Sequence, residues 1–76
     1  MYRLEFINAW ADHRLVGRYS TEQDARAAMA KELHSKGIKP YYYRFWTSPK
    51  TEDGEEVTTV DFGSHSEFYK IYKEEE

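Results

Sequence analysis

The chain has 76 residues and a formal net charge of −3, from 11 Lys+Arg against 14 Asp+Glu, a size for one domain rather than several. Leu, Ile and Val together are outnumbered by the 7 Tyr, 4 Phe and 2 Trp, so the core must be ring-rich, and this aromatic content with modest charge excludes a disordered chain. The absence of cysteine excludes a disulfide framework, a thiolate zinc site and a Cys nucleophile.

In chain order, Tyr2, Leu4 and Phe6 alternate with Arg3, Glu5 and Ile7, the period of a half-buried strand. A turn near Ala11-Asp12-His13 leads into a second strand over 14–19, with Gly17 inside it. A helix is expected over about 21–36. Ser20 is the expected cap with Gln23 completing a capping box, and Ala25, Ala28, Met29 and Leu33 form one apolar stripe. Gly37 ends it in a left-handed turn onto which Ile38 folds back. After Pro40, the run 41–47 (YYYRFWT) is the strongest strand signal in the chain. The Asp53-Gly54 turn returns an antiparallel strand over 55–62, and Gly63-Ser64-His65-Ser66 turns into a last strand over 68–72. The expected fold class is α+β: a mainly antiparallel sheet in ββαβββ order with a single helix on one face. Residues 1–73 form the domain and 74–76 a frayed acidic tail. The expected core contains Leu4, Phe6, Met29, Leu33, Tyr43, Phe45, Val60 and Phe62.

No catalytic constellation emerges. His13, His34 and His65 lack zinc-site spacing and read as surface histidines. Asp61-Phe62-Gly63 spells the kinase magnesium motif without the other parts of a kinase. Asp61, His65 and the neighbouring serines lie too close along a turn for a triad. Glu55 and Glu56 alternate across a strand and cannot act as a dyad. The expectation is a protein that is not an enzyme and uses neither metal nor cofactor.

The informative segment is aromatic. One helix covers one sheet face, so packing Tyr43 and Phe45 beneath it places Tyr42, Arg44 and Trp46 on the open face. Pairing across Asp53-Gly54 sets Trp46 near Asp61 and Phe45 near Phe62. Arg3 joins the open face from the first strand. Tyr, Trp and Arg are the composition of a binding hot spot, so Tyr42, Arg44, Trp46 and Arg3 are the expected binding residues, for a protein partner or a second copy in a homodimer. The alternative is a single-stranded nucleic acid stacked on the rings, although acids outnumber bases and backbone attraction normally carries such affinity. The apolar run 6–11 is far short of the ~20 residues of a membrane span. Met1-Tyr2-Arg3-Leu4-Glu5 has no basic-then-apolar export layout, and the expected location is the cytoplasm.

Two resemblances accompany this reading. Val16-Gly17-Arg18-Tyr19-Ser20-Thr21-Glu22, with Ala25, Ala28, Leu33 and Gly37, resembles one β-α-β half of SPOR domains over about 25 residues, which implies binding to peptidoglycan glycan strands. The whole chain resembles small uncharacterised phage and prophage proteins of Gram-positive bacteria. The residues carrying that likeness are 2–10, 17–21, 41–46 and 61–68. It implies an accessory protein that acts by binding inside a bacterial host.

Overall fold

In the computed structural model, residues 1–8, 12–39, 42–48, 56–64 and 66–74 are described. Five strands and one helix follow in the order β1 (Tyr2–Ile7), β2 (His13–Tyr19), α1 (Glu22–Ser35), β3 (Arg44–Ser48), β4 (Glu56–Asp61) and β5 (Phe68–Lys73). The strands form one sheet of order β2-β1-β5-β4-β3, and every neighbouring pair is antiparallel. The fold is α+β, with the helix on one face.

Local chemistry sets the helix ends. Thr21, one residue later than expected, is the cap: its Oγ1 accepts the Asp24 N–H at 3.1 Å. At the other end Gly37 adopts φ 72°, the left-handed conformation that glycine reaches without a Cβ penalty. The Ile38 and Gly37 N–H groups donate to the Leu33 and His34 carbonyls, both at 3.0 Å, the paired bonds of a Schellman stop. The helix buries Ala25, Met29 and Leu33 against Leu4, Val60, Phe62, Tyr69 and Ile71. Small alanines bring the helix close, and the sheet supplies the bulk.

Three core assignments need correction, at Tyr43, Phe45 and Phe6. Tyr43 and Phe45 do lie on the helix side in alternation, yet they are 42% and 38% exposed. The helix packs over β1, β2 and β5. A helix about 10–12 Å wide spans only two or three strands spaced about 4.8 Å apart, so β3 lies beyond its reach. Only the Arg26 guanidinium extends that far, 4.0 Å from the centre of the Phe45 ring. Phe6 is half-buried, beneath the Arg14 and Lys36 cations.

The remaining differences are local. His13 belongs to β2 rather than to a turn. Tyr42 and Tyr43 precede β3. Pro40, Tyr41, Asp53, Gly54 and His65 lie outside the described residues. Trp46 faces Thr59 and Phe45 faces Val60, a slide of two residues from the expected pairing. A slide of two keeps every side chain on its face, whereas a slide of one would invert them all. Glu74, expected in a frayed tail, is held: its N–H donates to the Met1 carbonyl at 2.9 Å, and its carboxylate accepts from Arg3 at 3.0 Å and Arg18 at 3.2 Å.

Candidate binding face of the sheet

The face opposite the helix is built from alternate residues of all five strands. Across it, Trp46, Thr59, Lys70, Glu5 and Leu15 occupy one row; Ser48, Val57, Tyr72, Arg3 and Arg18 occupy the next. Two regions of different character result.

Around Arg3 and Tyr72, over one end of β1, β2 and β5, the face is charged and internally paired. Arg3 donates from Nε to Glu5 at 2.6 Å and from a terminal nitrogen to Glu74 at 3.0 Å. Its guanidinium lies 4.3 Å from the centre of the Tyr72 ring. His13 Nδ1 approaches the second oxygen of Glu5 at 3.3 Å. Arg3 stands three strands from β3, about 14 Å across the sheet. The structure therefore does not bring Arg3 to the aromatic cluster; its charge and its plane are engaged in closing the chain ends over Tyr72.

From the Ile7, His13 and Phe68 end of β1, β2 and β5 across to β3 the face is open and more apolar. Trp46 is 45% exposed and walls a basin of about 540 Å³, whose lining includes Ile7, His13, Thr59, Phe68 and Lys70. The basin combines the Trp46 and Phe68 rings, the Ile7 side chain, the His13 imidazole, the Thr59 hydroxyl and the Lys70 ammonium. This pattern suits an apolar group bearing an acceptor or a negative charge. Lys70 makes no ion pair with any described residue. Arg44 lies on the same face, opposite Asp61, with its guanidinium 5.2 Å from the centre of the exposed Tyr42 ring. Trp46 and Arg44 are thus neighbours on β3, and Tyr42 joins them through Arg44 from just outside the strand.

Phe68, Ile7 and Thr59 were not anticipated as part of the site, although their signal was present. In the last strand Tyr69 and Ile71 alternate with Phe68, Lys70 and Tyr72, so burial of the first pair sets the other three on the open face with Trp46.

The helix side offers less. A cleft of about 90 Å³ lies between Tyr2, Glu22, Glu56, Thr58, Ile71 and Lys73, far smaller than ligand pockets, which occupy about 300–1,000 Å³. Beside Phe6, Glu32 accepts hydrogen bonds from Arg14 and, at 3.2 Å, from Lys36. Burial alone would raise the Glu32 carboxyl, but these bonds and the two positive charges hold it below its usual value. Beneath lies Tyr69, fully buried, its phenol pushed well above the usual range by burial, reinforced by the Glu32 charge. Its hydroxyl has no hydrogen-bond partner among the described residues.

Among the described residues no group of three or more His, Cys, Asp or Glu could hold a metal ion, and no helix is long and apolar enough to cross a membrane. Compared with known proteins, the chain matches no family model, and no curated protein or solved structure matches it significantly.

Proposed function

We propose that this protein is a non-catalytic binding module that works through the uncovered sheet face, taking a protein partner in the basin beside Trp46. The observation carrying this reading is the exposure of Trp46 on the side no helix covers, beside a basin with Phe68 and Lys70 in its lining. Large rings offer contact area at little cost in rotamer freedom, and a nearby cation adds direction. The whole-chain likeness to phage and prophage proteins supports an accessory role in the cytoplasm of a bacterial host. The SPOR-like segment supports glycan binding less well, because only one helix is found among the described residues where that family has two.

Trp46→Ala and Lys70→Glu test the reading. Both positions are partly or well exposed, so both variants should melt close to the parent. Each should lose partners that the parent captures from its host. If both remain folded and keep every partner, the face is structural and the reading fails.

A second reading takes the same rings as a stacking platform for single-stranded nucleic acid. Its support is the placement of Arg44 and Lys70 on the same open face as Trp46. Titration with labelled single-stranded RNA and DNA separates the two. Binding that weakens steeply with salt favours the nucleic acid, and absence of binding at low salt removes it.

A further inference from the structure

The two edges of the sheet are unlike. β2 carries His13, Arg14 and Arg18 along its seven residues, and its register against β1 shifts between Leu4 and Glu5. Charges and bulges of this kind keep an edge from pairing with another chain. β3 is less protected: its register against β4 is unbroken, and Arg44 is the only charge in RFWTS.

The exposed rings gather at that less protected edge, and on both faces. Trp46 lies on the open side and Phe45 on the helix side; Tyr42 and Tyr43 stand just before them, each of the four 38–46% exposed. The rings of Tyr43 and Phe45 stack at 6.0 Å. A ligand lying on one face would cover only half of this set. An added strand lies in the plane of the sheet and covers both halves.

We infer that β3 is a self-association edge, at which a second copy of this chain adds its own β3 antiparallel and extends the sheet across a two-fold axis. The sequence of the edge selects this occupant and its centre. Centring on Phe45 places each Phe45 against the partner's Phe45 and each Arg44 against the partner's Trp46, a cation over an indole. Centring on Arg44 would oppose two guanidinium groups. No acid lies in β3, so the pairing of the two strands opposes no carboxylates. Large aromatic side chains bury 150–250 Å² each; at the exposures above, four of them leave roughly 340 Å² per copy. Two copies then bury about 700 Å² of ring surface plus the strand backbones, short of the 1,200–2,000 Å² of a stable interface. The dimer is therefore weak and concentration-dependent. This inference does not depend on the basin: the contact is at the edge, and Phe45 faces away from the proposed partner site.

Sedimentation of the parent up to about 1 mM should show reversible monomer–dimer exchange, as a contact of this size requires. Phe45→Glu should be monomeric over the same range. Its carboxylate would lie beside Arg26, so its melt should match the parent's, and it should still bind any partner taken by the basin. Because the chain has no cysteine, single-cysteine variants read the register. Opposed residues are about 4.5–5.5 Å apart between Cα atoms, within disulfide reach. Trp46 would lie more than about 8 Å from its own copy, beyond it. Under a mild oxidant such as diamide, Phe45→Cys should cross-link, whereas Trp46→Cys and, on β2, Arg18→Cys should not. A parent that stays monomeric at the highest concentration overturns the inference. So does a dimer that survives Phe45→Glu, or cross-linking of Arg18→Cys equal to that of Phe45→Cys.

Discussion

Tyr69→Phe removes one atom from the centre of the core and should stabilise the protein. Tyr69 is fully buried, packed edge-on to Phe6 at 5.3 Å and tilted against Phe62 at 5.6 Å, and its hydroxyl is an orphan among the described residues. A buried polar group left without a partner costs about 1–3 kcal/mol. Deleting the oxygen leaves a void of roughly 10 Å³, which at 24 cal/mol per Å³ costs only about 0.2 kcal/mol. The net gain should be about 1 kcal/mol or more, read as a rise in Tm of about 4–8 °C per kcal/mol for a chain this short. The alkaline limb provides an independent check. The phenol is raised in the folded state, so above the ordinary tyrosine value of about 10 the unfolded chain loses this proton before the folded one does. Stability then falls as pH rises. Tyr69→Phe removes that part of the fall. Urea melts at pH 7 and pH 11 on both proteins measure both effects. A loss of about 1 kcal/mol or more at pH 7 would refute the reasoning, because it would mean that the hydroxyl is satisfied.

Two further outcomes follow from the helix and its charges. Glu32 is depressed in the folded state, so its contribution is fully present above the unfolded value of about 4.3 and is lost as pH falls through the folded one. Glu32→Gln should cost about 1 kcal/mol at pH 7 and give a flatter acid limb; an unchanged limb in acid melts would contradict the assigned cause. Thr21→Ala should cost about 0.5–2 kcal/mol in a thermal melt, while Ser20→Ala should cost almost nothing. The reverse order would return the cap to Ser20.

What was legible in the sequence is what period and local chemistry carry. Alternation in Tyr2-Leu4-Phe6, and of Tyr43 and Phe45 with Arg44 and Trp46, fixes faces regardless of where strands begin, which is why Trp46 lies on the open side despite a pairing that slid by two. Gly37 announces the helix stop because few other residues tolerate its φ of 72°. The cap was ambiguous because Ser20 and Thr21 are both good capping residues one position apart. Burial at β3 was illegible for a different reason. Alternation says which side Tyr43 and Phe45 face, but how far a helix reaches across a sheet depends on strand order. Here β5 is inserted between β1 and β4. That order moves β3 to the far edge, three strands from β1.

The same insertion explains why the candidate site is where it is. A chain short of aliphatic residues and rich in rings must place those rings somewhere, and a 14-residue helix covers too little of a five-stranded sheet to hide them all. The rings under the helix, Tyr69 and Phe62, become core. Those at the far edge remain exposed, and that edge carries the single charge of Arg44 in an unbroken register, against the two arginines and the register shift that blunt β2. Burial beneath the helix would require rings on the helix side alone, since only that side meets the helix. Phe45 and Trp46 are exposed on opposite sides of one strand, so the helix cannot account for both. The proposed contacts would account for each: the edge by extending the sheet, and the open face by filling the basin beside Trp46.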